Sequence, residues 1–149
     1  MYYLYIMSFV VICGGGGKTT ICKKYPNLFL DIDEFIWNDI NKDFHNDLIE
    51  AINNENIEKI GEIYKKIMIE NKDKIDRNKI ILGHNEIYTD WLGLKSIFSI
   101  KPNKEIHRLN IRNRDKKLQK ISINCWENQK EAFIYNSYSE FESKLLNLI

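Results

Sequence analysis

The sequence offers little that would send the chain to a membrane, a disulfide scaffold or a polyanion. Its three cysteines, Cys13, Cys22 and Cys125, are odd in number and form no C-x-x-C. That argues against a disulfide framework or a paired-thiol zinc site, and for buried thiols in a reducing compartment, which makes the cytoplasm the expected location. Twenty-two basic and 21 acidic side chains leave a formal net charge of +1. No global field gathers nucleic acid, so any polyanion contact must come from local arginines, and a small anionic ligand is the easier reading. The apolar start, MYYLYIMSFVVIC, has no basic n-region, is shorter than a membrane span and passes directly into glycines. It therefore reads as a first strand with a few residues before it, and Met7 as an alternative start. There are no internal repeats and no disordered linker. The 149 residues, 44% hydrophobic and 29% charged, fit one soluble domain spanning 1–149, able to bury about two-thirds of its unfolded surface.

What is present is concentrated in Ser8 to Thr20, SFVVICGGGGKTT. Phe9, Val10, Val11 and Ile12 form a β-branched apolar run that reads as a buried strand. It runs straight into Gly14, Gly15, Gly16 and Gly17, followed by Lys18, Thr19 and Thr20. Glycines let backbone N–H groups approach phosphate oxygens without an intervening side chain. The lysine sets a compact positive charge against the β and γ phosphates, and the Thr19 hydroxyl is placed to ligate Mg²⁺. A helix starting near Lys18 adds its N-terminal dipole. The pattern G-x-x-x-x-G-K-[ST] is met except at its first glycine, where this chain has Ile12.

Downstream, TTICKKYP continues as a helix that stops before Pro26. Leu28 to Ile32 read as a second strand, with Asp31 and Asp33 two apart and hence on one strand face. Carboxylates at the C-terminal end of such a strand lie where ligands bind; they also suit the cap of a following helix. From Trp37 to about Ile75 the period is helical, through Leu48, Ile49 and Ile52 and then Ile57, Ile60, Ile63 and Ile67, broken at Asn53-Asn54. This pair of helices, about 38–76, reads either as an insertion over the acceptor side of a site or as plain packing. Lys79 to His84 is a third strand, with His84 either a substrate contact or a surface cap. Ser96 to Ile100 is a fourth. The alternation of strands and helices implies a parallel sheet. In NKEIHRLNIRNRDKK, Arg108 and Arg112 are four apart on one helix face with Arg114 close behind. The cluster reads as a phosphate clamp or as a solvated basic face. Ile121 to Lys130 is a helix carrying Trp126, Ala132 to Tyr135 a last strand, and Ser137 to Glu140 a capping box opening a C-terminal helix.

GGGGKTT, FLDID and the arginine run, in that order, resemble the nucleoside monophosphate kinase-like P-loop proteins, in particular the short forms of phages and large DNA viruses. FLDIDEFI is similar to the F-x-D-x-D-x-x-I signature of shikimate kinases, with Trp37 where that family has glutamate. ILGHNEI and IKP…HR…IRNR look like the third strand, fourth strand and lid of the phage-type proteins. The resemblance spans Ser8 to Leu146. It implies an α/β, three-layer P-loop NTPase fold: a parallel five-stranded sheet, order 2-3-1-4-5, flanked by helices. It also implies MgATP at Gly14 to Thr19, a metal ligand in Asp31, an acceptor near Asp33, His84 and Arg114, and mobile lid arginines at Arg108 and Arg112. The lid must be short, about 103–120, because a full adenylate-kinase lid needs more chain than lies between Pro102 and Ile121. The implied activity is ATP-dependent transfer of a γ-phosphate to a nucleoside monophosphate. The alternatives are a kinase for nucleic-acid 5′-hydroxyl ends, modified bases or a hydroxylated metabolite, and a nucleotide binder without transfer. A GTPase fits poorly: Asp90-Trp-Leu-Gly93 matches D-x-x-G but lies well past its strand, and no N-K-x-D follows the fourth strand.

Overall fold

Strands form where an apolar run can be covered on both faces, and in this computed structural model, which describes residues 8–76 and 78–149, five such runs make one sheet. The residues ahead of the first strand, Met7 among them, lie outside the described residues. β1 (Ser8–Val11) is central, pairing β3 (Ile80–Gly83) on one side and β4 (Lys95–Pro102) on the other. β2 (Phe29–Asp31) lies outside β3, and β5 (Phe133–Tyr135) outside β4, giving the order β2-β3-β1-β4-β5 with every pair parallel. Parallel strands end at a common edge. The chain just past β1, β2 and β3 therefore gathers the glycine run, Asp33 and His84 at one rim of the sheet.

Eight helices are described: α1 (Lys18–Lys24), α2 (Ile32–Ile36), α3 (Lys42–Asn53), α4 (Ile57–Asn71), α5 (Tyr88–Leu92), α6 (Lys104–Ile111), α7 (Lys116–Asn128) and α8 (Tyr138–Leu146). The two-residue alternation of β1 separates two cores. Phe9 and Val11 face Ile36, Leu48, Ile67 and Met68 of α2, α3 and α4, while Val10 and Ile12 face Ile21, Phe141 and Leu145 of α1 and α8. Helices on both faces and apolar residues on both strand faces are what a buried parallel sheet requires, each fully buried large side chain stabilising by about 1.5–3 kcal/mol. The α3–α4 break falls at Asn54 to Asn56, where Glu55 turns through φ 52° and the Asn56 side chain caps α4 by accepting the Lys59 N–H at 3.1 Å.

Two local readings are corrected. β2 stops at Asp31, whose carboxylate accepts the Asp33 N–H at 3.0 Å and starts α2, so Asp33 sits in a helical first turn rather than on the strand face of Asp31. α7 begins at Lys116 rather than Ile121 because Asp115 caps it, accepting from Leu118 N–H at 2.9 Å. Asp90 to Gly93 is the end of α5, closed by Gly93 at φ 70°. Cys13 and Cys22 are buried and Cys125 is half-buried, all as free thiols. Burial pushes the Cys13 and Cys22 thiols up to about 12, which keeps them protonated and inert.

Candidate functional site

The loop from Ile12 to Gly17 leaves β1 under an unusual degree of side-chain control. Three successive glycine carbonyls are each held by a donor from far along the chain. Gly14 O accepts from His107 Nε2 at 2.8 Å, Gly15 O from Asn110 Nδ2 at 2.9 Å and Gly16 O from the Tyr135 hydroxyl at 3.0 Å. Before them, Gln129 bridges strand ends: its Oε1 accepts from Cys13 N–H at 3.1 Å, and its Nε2 donates to Val11 O and Ile100 O, each at 3.0 Å. With the carbonyls drawn to one side, the Gly15 and Gly17 N–H groups have no acceptor among the described residues and border a cavity of about 340 Å³. Backbone donors without partners beside a lysine are the physical requirement for binding an anion.

The departure at Ile12 is accommodated inside the loop. Ile12 is fully buried, and a Cβ on Gly16 would lie 2.4 Å from its Cγ2, so bulk at position 12 is balanced by its absence at 16. Gly15 adopts φ +79°, and a Cβ there would stand 2.4 Å from Ile111 Cγ2. The helix α6 therefore lies directly against the loop.

Lys18 is 7% exposed; its ammonium donates to Ile12 O at 3.2 Å and faces the cavity together with exposed Thr19 and Thr20. Asp31 and Asp33 complete the polar side. Burial first, and the neighbouring Asp33 charge second, push the Asp31 carboxyl up to about 6 against the attraction of Lys18. Asp33 accepts from the Tyr64 hydroxyl of α4 at 3.1 Å, which ties the helical segment 38–76 to the site. Ile106, Tyr135 and half-exposed Tyr138 supply an apolar wall.

The arginines are placed differently from the sequence expectation of a mobile two-arginine lid. α6 ends at Ile111, so Arg112 is its C-terminal cap and exposed. Arg108 lies over the Trp126 ring at 5.1 Å and donates to His107 Nδ1. Neither lines the cavity. That bond fixes His107 with its proton on Nε2, the tautomer that donates to Gly14 O. Arg114 does line the cavity, with its guanidinium also donating to the Ser122 hydroxyl at 3.0 Å. His84 is outside this cavity. It shares a hydrogen bond of 3.0 Å with the Tyr88 hydroxyl and enters the wall of a second cavity instead.

Residues not singled out from the sequence, His107, Asn110, Tyr135, Gln129 and Tyr64, do the positioning. The three-residue spacing of His107 and Asn110 places them on one face of α6 and was readable as such; the partners, backbone carbonyls some ninety residues earlier, were not. Among the described residues no group of three or more His, Cys, Asp or Glu gathers to hold a metal, and no helix is long and apolar enough to cross a membrane. No protein-family model matches the chain, and no curated protein or solved structure matches it either.

Proposed function

We propose that the chain is an ATP-dependent phosphotransferase of the P-loop kinase type, working in the cytoplasm on a small acceptor. The observation that carries this is the glycine loop whose carbonyls are tied back by His107, Asn110 and Tyr135 while Lys18 and unpaired N–H groups border the cavity. Phosphoryl transfer asks a protein mainly to position two reactants and to neutralise charge spread over the phosphoryl oxygens. Lys18, Arg114 and the loop N–H groups supply the positive side. Ile106 and Tyr138 offer the apolar surface that a nucleotide base needs.

Thr19 and Asp31 suit a magnesium ion that arrives with the nucleotide. They are two hard oxygen donors, few enough to leave most positions to phosphate and water, and Asp31 has a second oxygen unclaimed by protein among the described residues. When bound, the ion would neutralise charge on the phosphates. Asp33, oriented by Tyr64, is the group we assign to the acceptor, orienting it or taking its proton. A nucleoside monophosphate remains the acceptor expected from the resemblance. A hydroxylated acceptor is the second reading, favoured by the lining of the neighbouring cavity.

The test is Lys18→Ala beside wild type in equilibrium ATP binding and in single-turnover transfer from labelled ATP. Retained folding with transfer lowered by ~10³-fold or more, about 4 kcal/mol of barrier, is expected. Full activity in the variant would remove the loop from the chemistry.

A further inference from the structure

The second cavity, about 700 Å³, reaches from Val11 at the end of β1 and His84 past β3 to Asn124 and Asn128 of α7. Its volume falls within the ~300–1,000 Å³ of small-molecule sites. The polar lining is amide and hydroxyl: Asn85, Asn124, Asn128, Ser96 and Ser99 beside the already committed Gln129. Among the described residues no arginine lines it. Its ionic groups are Glu86 and Glu131 against Lys130, two negative charges and one positive, and the Lys130 ammonium is turned to the Glu127 carbonyl at 3.3 Å. The first cavity, by contrast, holds Lys18 and Arg114.

The amides are partly spoken for in a way that fixes what they offer. Asn128 donates to Asn124 Oδ1 at 3.1 Å, and Asn85 Oδ1 accepts from Ile87 N–H at 3.0 Å. This leaves Asn124 Nδ2 and Asn85 Nδ2 as donors and Asn128 Oδ1 as an acceptor, a set matched to hydroxyl or amide groups rather than to a dianion. The two cavities are neighbours: Asp33 of the first accepts from Tyr64, whose ring lies 6.0 Å from that of Tyr88, and the Tyr88 hydroxyl shares its 3.0 Å hydrogen bond with His84 of the second. Burial and Lys18 hold His84 below its ordinary range and hence neutral. A phosphate monoester here would lie beside two carboxylates with exposed Lys130 as the single lining cation among the described residues, and like charges in such proximity are disfavoured.

We infer, resting on the phosphotransferase reading, that this cavity receives the acceptor and that the acceptor is an uncharged, hydroxyl-bearing molecule of nucleoside size. In the step, the acceptor hydroxyl oxygen bonds to the γ-phosphorus while the bond from that phosphorus to the β–γ bridging oxygen breaks. The bridging oxygen keeps the electron pair and leaves on ADP. The hydroxyl proton passes to the Asp33 carboxylate and then to solvent.

The experiment uses the full chain with MgATP and follows ADP and the phosphorylated product by mass, with the common ribo- and deoxyribonucleosides and their 5′-monophosphates as parallel acceptors. Transfer to at least one nucleoside, exceeding that to its monophosphate, is the expected result. Asn124→Asp and Asn128→Ala should raise KM for that nucleoside tenfold or more with KM for ATP unchanged. Equal or faster transfer to monophosphates overturns the inference, and so does a nucleoside KM untouched in both variants. ATP binding without transfer to any nucleoside also overturns it, while leaving the nucleotide loop in place. Failure of the wild-type chain to bind ATP removes the phosphotransferase reading underneath and the inference with it.

Discussion

Asp31 is a residue that the fold would be more stable without. It is 4% exposed, and burial together with the Asp33 charge raises its carboxyl from an ordinary value of 3.8 to about 6 despite Lys18. A raised folded-state value means that the native protein holds this proton more tightly than the unfolded chain does. The favourable contribution is thus fully present below about pH 3.8 and is lost as pH rises through about 6. The gap of roughly two units corresponds to an order-of-magnitude penalty of about 3 kcal/mol at neutral pH. Asp31→Asn keeps an oxygen for the Asp33 N–H and removes the charge. It should raise stability at pH 7.5 by about 3 kcal/mol, or roughly 8 °C in Tm for a chain of this size, and by almost nothing at pH 4. Urea unfolding of both proteins at pH 4, 5, 6 and 7.5 measures the convergence. An Asn variant no more stable at pH 7.5, or a difference that does not shrink towards pH 4, refutes the reasoning. The same variant should require more Mg²⁺ for ATP binding, so that stability is gained where function is lost.

Other perturbations test other parts of the site. Gln129→Ala strands the Cys13 N–H and the Val11 and Ile100 carbonyls, all in buried strand ends; a loss on the order of 4 kcal/mol is expected in chemical denaturation. Gly15→Ala meets both a left-handed φ, about 1–2 kcal/mol of strain, and the Ile111 side chain. ATP affinity should fall tenfold or more in calorimetric titration, and the Gly15→Ala, Ile111→Ala double variant should recover part of it. Arg114→Ala should weaken ATP binding and turnover. Arg108→Ala should cost about 1 kcal/mol of stability through the lost Trp126 contact and, by releasing His107 from its tautomer, lower turnover less than Arg114→Ala does; steady-state kinetics beside thermal melts separates the two.

What could be read from the sequence follows from how local each signal is. Phe9 to Ile12 and Ile80 to Leu82 carry their own evidence for burial, and Pro26, the Asn53-Asn54 break and the Ser137 cap punctuate the helices within a few residues of where the structure does. The glycine run announced a loop made for close backbone approach, and Asp31 and Asp33 announced a carboxylate pair at a sheet rim. Less legible was anything set by a distant partner. Arg108 and Arg112 shared a helical spacing, yet the helix ended between them and Trp126 captured the first. Asp31 and Asp33 suited either one strand face or the cap of the next helix, and the structure takes the cap, with Asp31 accepting from Asp33 N–H. Gln129 and Tyr135 carried no motif, since a single amide or hydroxyl becomes informative only once its acceptor is placed.

The side-chain ties on the glycine loop also set the order in which this protein can become competent during its own synthesis. The loop emerges first, at residues 14 to 17, but its carbonyl partners arrive at residues 107, 110 and 135 and its strand clamp at 129. Contacts of such long sequence separation form late, after the intervening chain has collapsed around them. A nascent chain stopped short of Tyr135 would carry the whole glycine-lysine signature and still lack the geometry to use it. On the phosphotransferase reading, nucleotide could then stabilise the loop only once the chain through Tyr135 has folded around it.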